Sequence, residues 1–218
     1  MVGLHVITHD NRKLYEDVLE EYFRLRHDIY VDERGWTELA KPDKREIDQF
    51  DTPDTIYLIA IEGRRVLGSH RLVPTHKPTL MSDLFPQLAM RGLIRRPDAF
   101  ELSRVFVVRA RRGEQAEPRI ESIVMAGTME FALAYGISQY TIVMETWWLP
   151  RFHDLGWRIR PLGLPTMING MSCIGVTADV NSEVWRETRV RRSVPGSVLV
   201  WEGLEPPLQA PLVAAGGM

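Results

Sequence analysis

The chain has 218 residues, a formal net charge of −2 and a pI near 6.3, which suits one large or two small domains and gives no global pull toward nucleic acid or anionic lipid. Its single cysteine, Cys173, excludes an intramolecular disulfide and a cysteine-based metal site. The N-terminus lacks the features of a signal peptide, and the most apolar long segment, Ile120 to Tyr135, carries Glu121 and Glu130 and is too short for a bilayer, so a soluble cytoplasmic protein without membrane insertion is expected.

In chain order, Val2 to Thr8 is a candidate first strand. From Leu14 to Arg26 the apolar residues Leu14, Tyr15, Val18, Leu19, Tyr22 and Phe23 recur at helical spacing opposite Glu16, Asp17, Glu20 and Glu21, which predicts an amphipathic helix ending near Arg26. Tyr30 to Phe50 has no sustained period and reads as a long loop of the kind that often forms a lid or binding wall. Trp36 inside that polar loop calls for a burying partner. Asp51-Thr52-Pro53-Asp54 is a turn signal. Thr55 to Ile61 and Val66 to Val73 are predicted strands joined by a hairpin turn at Glu62-Gly63-Arg64-Arg65. Loop and short helix follow from Pro74 to Pro97, then a strand from Phe100 to Val108. Simple alternation there points Glu101 and Ser103 one way and Arg104 the other, unless a bulge intervenes.

Arg109-Ala-Arg111-Arg112-Gly113 is a basic turn into a helix from about Pro118 to Tyr135, stopped by Gly136. Such a turn offers free N–H groups and a helix dipole to an anion. Tyr140 to Glu145 reads as a strand, Trp147 to Gly156 as a short helix with its stop, Trp157 onward and Cys173 to Thr177 as strands, and Asn181 to Val190 as a closing helix. From Gly203 onward a mobile tail is expected, leaving 1–202 as one domain. The six His show no metal-ligand spacing, so no metal is expected.

The charged residues between Arg26 and Arg104 carry the chemistry. Glu46, Asp48 and Asp51 fall within six residues, with Arg26 upstream and Arg71, Glu101 and Arg104 inside predicted core strands. Buried carboxylates and guanidiniums are costly unless paired. Spacing both kinds among core strands therefore points to a polar pocket for a zwitterionic or cationic small molecule.

Strands and helices alternate after residue 100, following hairpin strands, which suits a mixed sheet with helices on both faces. The basic turn, long helix and Phe152-His153-Asp154-Leu155-Gly156-Trp157 segment resemble the Gcn5-related N-acetyltransferase (GNAT) architecture, an α/β fold in the form of an αβα sandwich around a central mixed sheet. In that superfamily the turn holds the pyrophosphate of coenzyme A; here no second glycine follows Gly113. More narrowly, Arg26-x3-Tyr30-x5-Trp36, Glu46-x-Asp48-x2-Asp51, Arg71 and Glu101-Leu-Ser-Arg104 resemble the acyl-homoserine lactone synthases, the LuxI-type autoinducer synthases.

That resemblance implies a two-part reaction. The amine of S-adenosylmethionine attacks an acyl thioester, and its carboxylate then displaces methylthioadenosine and closes the lactone, a quorum-sensing signal. Both molecules are substrates, and no cofactor is implied. By the same analogy Asp48 and Arg104 hold the amino-acid part of S-adenosylmethionine, while Arg26, Tyr30 and Trp36 form the wall of its site. Asp51 and Arg71 support them in an ion-pair network, and Glu101, or else Glu46, accepts the proton. Arg109, Arg111 and Arg112 would meet the thioester carrier, and Met144, Trp147 and Trp148 would line the acyl pocket. Most members use acyl carrier protein, whose acidic surface would dock on basic patches. The tryptophans look more like the branch that takes branched or aryl acyl-CoA. An ordinary GNAT N-acyltransferase, which uses no S-adenosylmethionine, is the alternative.

Overall fold

The computed structural model describes residues 2–112 and 118–207. Strand β1 (Gly3–Ile7) leads through a short 3-10 turn into helix α1 (Glu16–His27), which unwinds into a wide π-type turn at Asp28–Glu33. Strands β2 (Ile56–Glu62) and β3 (Arg65–Pro74) form the expected hairpin across Gly63, and β4 (Ala99–Val107) follows. Helix α2 (Ile120–Tyr135) ends at Gly136, whose φ of 76° closes the helix and bonds its N–H to Ala132 O. Then come β5 (Gln139–Glu145), α3 (Leu149–Asp154), β6 (Ile159–Pro161), β7 (Thr166–Ile168), β8 (Met171–Asp179), α4 (Ser182–Arg191) and β9 (Leu199–Val200).

The sheet runs β6-β8-β5-β4-β3-β2-β1-β9, with β7 paired to β8. β2 is apolar from Ile56 to Ile61 because both its faces are covered there. Tyr57, Ile59 and Ile61 pack with Val18, Leu19 and Tyr22 of α1, whereas Leu58 and Ala60 join Ile123, Val124 and Met125 of α2. Each such side chain contributes about 1.5–3 kcal/mol by leaving water, so the two helices clamp the centre of the sheet. The expected αβα sandwich around a mixed sheet is present.

Two irregularities make the site. β4 and β5 are parallel and pair only from Ala99↔Gln139 to Leu102↔Ile142, while β5 stays bonded to β8 as far as Glu145↔Cys173. Beyond Leu102 and Ile142 the two strands part, and a cleft opens at their C-terminal ends. The β3–β4 register also shifts between Ser69↔Phe106 and Arg71↔Ser103, so that Arg104 and Val105 stand against His70 alone. Arg104 takes a φ of 52° in this bulge, a conformation costing a non-glycine residue about 1–3 kcal/mol. The bulge breaks the alternation and turns Arg104 to the side of Arg71 and Ser103.

Two short strands escaped the sequence reading. β7 and β8 are joined through Asn169-Gly170 with φ of 48° and 78°, the conformation that favours this dipeptide in tight hairpins. β9 lies parallel to β1, and Trp201 and Leu204 pack against the core. Residues 208–218 of the expected tail lie outside the described set. No helix among the described residues is long and apolar enough to cross a membrane.

His70 is fully buried on β3 and faces α2. Thr128 Oγ1 donates to Val124 O and is 2.7 Å from His70 Nδ1, which therefore donates to Thr128 and leaves Nε2 as the basic nitrogen. Burial lowers the His70 pKa to about 3. With the folded value depressed from 6.5, its contribution to stability is complete above pH 6.5 and is lost as pH falls toward 3. Urea melts between pH 7 and 4 should show falling stability, and His70→Leu should flatten that limb. An unchanged slope in the variant would assign the acid lability elsewhere.

Candidate active site

α1 delivers Arg26 at its last turn, the segment after the π-type turn delivers Glu46, Asp48 and Asp51, and β3 and β4 deliver Arg71 and Arg104. Arg26 Nε bonds Glu46 Oε2 at 2.5 Å, and its two terminal nitrogens hold Asp51 at 2.8 and 2.9 Å. Arg71 Nη1 reaches Asp48 at 2.6 Å and Asp51 at 3.1 Å, and its Nε donates to Ser103 Oγ at 3.1 Å. Arg104 grips Glu46 through Nε at 2.9 Å and Nη2 at 2.8 Å, and Nη2 also meets Asp48 at 2.8 Å. Three guanidiniums face three carboxylates, so the buried set is neutral. Tyr57 adds a hydrogen bond to Asp51 at 2.9 Å.

The electrostatics follow from this pairing. Burial alone would raise the Glu46 carboxyl, but the hydrogen bonds and charge of Arg104, with Arg26 behind it, hold it down at about 2. Asp51 behaves likewise: burial opposes ionisation, and Arg26 and Arg71 overcome it to put the carboxyl well below the usual range. Arg26 and Arg71 stay charged despite burial because their acidic partners outweigh it.

Beside this network lies a cavity of about 320 Å³. Asp48 and Arg104 line it from the network, whereas Arg26, Glu46, Asp51 and Arg71 stand behind them. Arg26, expected in the substrate wall, is therefore a support, fully buried between Glu46 and Asp51. Tyr30 and Trp36 do form a wall, stacked at 5.1 Å between ring centroids. The Tyr30 hydroxyl donates to Val105 O at 3.1 Å, and the Arg104 guanidinium covers its ring at 5.2 Å. Met144, Trp148, Leu102, Ile142 and Phe152 make the apolar end, where β4 and β5 part. Trp147, expected there, is 51% exposed outside the cavity, stacked on Trp148 at 4.9 Å with Arg151 over its ring.

Neither carboxylate expected to accept the proton is free in this arrangement. Glu46 is locked by two guanidiniums. Glu101 lies off the cavity, and its two oxygens accept the Leu80 and Met81 N–H groups at 2.8 Å each. It thereby anchors the turn whose Leu80 and Leu84 reach the cavity wall. Burial raises the Glu101 carboxyl, partly offset by those donors.

The basic turn is less open than its sequence implies. Arg111 pairs with Glu62 at 3.1 Å, and Arg112 pairs with Glu33 at 2.7 Å and donates to Val107 O. Arg109 lines a second groove shared with Glu21, Asp28 and Glu33, and Gly113 lies outside the described residues. His27, Asp28 and Asp32 bring ligand-type atoms within 4.8 Å of one another despite the unpromising spacing, because the π-type turn folds them together. Sequence reasoning missed Arg34, Glu38, Glu145, Asn169 and Cys173 as cavity residues. Only the C-terminal position of Glu145 on β5 carried a signal, since ligands gather at such strand ends.

Comparison with known proteins agrees with this geometry. The sequence model of the autoinducer synthase family matches residues 10–188. The chain is 48% identical over 196 residues to isovaleryl-homoserine lactone synthase of Bradyrhizobium diazoefficiens, covering 89% of this chain and 88% of that one. The solved structure of a CoA-dependent acyl-homoserine lactone synthase, BjaI, with SAM and isopentyl-CoA, superposes with a TM-score of 0.88 at 46% identity, covering 95% of each chain. A putative N-acetyltransferase from Lactobacillus plantarum shares the fold, with a TM-score of 0.54 at 18% identity over 82% of this chain and 99% of that one.

Proposed function

The chain belongs to the autoinducer synthase family, and we propose that it transfers a short branched acyl group from coenzyme A to the amine of S-adenosylmethionine, then closes the lactone with release of methylthioadenosine. The observation that carries this reading is a neutral, buried set of three arginines and three carboxylates that presents one of each, Arg104 and Asp48, to a small apolar cavity. A zwitterionic amino-acid end needs one such pair: Asp48 for the ammonium and Arg104 for the carboxylate. Tyr30 and Trp36 wall in the remainder of S-adenosylmethionine. Arg26, Arg71, Glu46 and Asp51 fix the pair without touching substrate.

The acyl end fits a short group. The cavity lies at the low end of the usual range for ligand sites, and Trp148 and Phe152 fill space that a long alkyl chain needs. The relative from Bradyrhizobium diazoefficiens is an isovaleryl-homoserine lactone synthase, which favours a branched acyl-CoA here. In this reading Arg109, Arg111 and Arg112 would meet the coenzyme A pyrophosphate, which requires Arg111 and Arg112 to leave Glu62 and Glu33.

Comparing kcat/KM for isovaleryl-CoA, cinnamoyl-CoA, octanoyl-CoA and isovaleryl-carrier protein tests the donor. Isovaleryl-CoA should lead by at least tenfold, and preference for the carrier protein thioester would reject coenzyme A as carrier. Trp148→Ala should shift selectivity toward octanoyl-CoA by about tenfold or more, the scale on which apolar pockets discriminate size. Unchanged selectivity would remove Trp148 from the acyl pocket.

A further inference from the structure

The amine of S-adenosylmethionine arrives protonated and must lose a proton before it attacks, so the cavity needs a carboxylate with a free oxygen. Among carboxylates near the site, Glu46 is held by Arg26 and Arg104, Asp51 by Arg26 and Arg71, and Asp48 by Arg71 and Arg104. Glu101 is off the cavity and capped by two backbone N–H groups. Glu38 lines the cavity but is exposed on the outer wall. Glu145 remains. It is 9% exposed, lines the cavity at the C-terminal end of β5, and has no hydrogen-bond donor in reach among the described residues.

We propose that Glu145 is the catalytic base of the acyl-transfer step, an assignment that rests on the function proposed above. Its surroundings suit the task. Arg34, its ion-pair partner, stands back at 3.8 Å, near enough to orient the carboxylate and too far to bind its oxygens tightly. Arg34 lies over the Tyr30 ring at 5.4 Å, and Arg104 lies over the same ring at 5.2 Å. One aromatic residue thus links the Glu145 end of the cavity to the Arg104–Asp48 end. Cys173 on β8, the other titratable group facing Glu145, is opposite it in register, and burial and then the Glu145 charge push its thiol up, keeping it neutral.

The step balances. The ammonium gives one proton to the Glu145 carboxylate, and the freed nitrogen pair forms the C–N bond to the thioester carbonyl. The carbonyl π pair moves to oxygen and returns as the C–S bond breaks. The second amine proton leaves with sulfur as the free thiol of coenzyme A, and Glu145 later yields its proton to solvent.

Rapid-mixing measurement of coenzyme A thiol release, at saturating S-adenosylmethionine and isovaleryl-CoA, tests the assignment in wild type, Glu145→Gln, Glu145→Asp, Glu101→Gln and Arg34→Met. Glu145→Gln should slow acyl transfer by about 100-fold or more, the usual range for a general base, with S-adenosylmethionine affinity by calorimetry unchanged. It should also lose the rising acid limb of the pH–rate profile, and Glu145→Asp should regain part of both. Arg34→Met should raise KM and leave most of kcat. Glu145→Gln within threefold of wild type, or a pattern matching Arg34→Met with kcat retained, would reduce Glu145 to a clasp and overturn the proposal. So would loss of the acid limb in Glu101→Gln alone. If wild type releases thiol but no methylthioadenosine, the function itself is wrong; if it makes lactone and Glu145→Gln does so within threefold of the wild-type rate, only the base assignment falls.

Discussion

Arg104→Met is expected to lower kcat/KM by about a thousandfold and to weaken S-adenosylmethionine binding at least about 100-fold. Arg104 makes three of the network's bonds, two to Glu46 and one to Asp48, and is the only one of its arginines that reaches the cavity. Its removal leaves two buried carboxylates short of a partner, a loss of about 3–5 kcal/mol when one side of a buried pair disappears. Loss of the charge-assisted contact to the substrate carboxylate acts separately on binding and rate, at about 1.36 kcal/mol per decade. Arg104→Lys should fare little better, because an ammonium cannot reproduce the fork that spans Glu46 and Asp48. Arg104→Gly relieves the strain at φ 52° and should melt above Arg104→Met, though below wild type, while remaining inactive. Calorimetric titration with S-adenosylmethionine decides the matter, and unchanged affinity in Arg104→Met would reject the role given to the residue.

Glu46→Gln should be strongly destabilising. Glu46 touches no part of the cavity yet receives Arg26 and Arg104 together. A neutral amide leaves the network with one uncompensated positive charge in a site where Glu46 is 1% exposed. A cost of about 3–5 kcal/mol follows, or about 10 °C in Tm for a chain of this size. Glu46 is charged down to about pH 2 in the fold and only to its ordinary 4.5 when unfolded. The stability it supplies is therefore present above pH 4.5 and lost as pH falls toward 2. Asp17→Asn, which breaks the exposed pair with Arg64, should leave Tm unchanged. Equal melting temperatures for Glu46→Gln and wild type would show that the network is not a stabilising unit.

Much of the site was legible because its residues break composition rules: charges inside apolar strands can only be paired or functional. Arg71 illustrates this, since it shares a face with Leu67, Ser69 and Val73 and is completely buried against Asp48 and Asp51. Spacing grouped the charges from Arg26 to Arg104 into one polar pocket, and the family resemblance assigned roles within it, but neither paired Arg26 and Arg104 on Glu46. Alternation alone left the side of Arg104 open, and a single bulge residue decided it. Cavity depth was beyond reach for another reason. Trp147 and Trp148 are adjacent, but the 3-10 turn at Thr146–Trp148 sends one into the cavity and the other to solvent. Glu101 and Glu145 are both buried acids at sheet positions, and it takes the cavity lining and the backbone donors of the Leu80–Leu84 turn to separate a wall anchor from a candidate base.

Product analysis by mass spectrometry, with purified protein, S-adenosylmethionine and isovaleryl-CoA, tests the central claim most directly. The site described here predicts equal amounts of isovaleryl-homoserine lactone, methylthioadenosine and free coenzyme A. Consumption of the thioester with no methylthioadenosine would contradict it and leave an ordinary N-acyltransferase in its place.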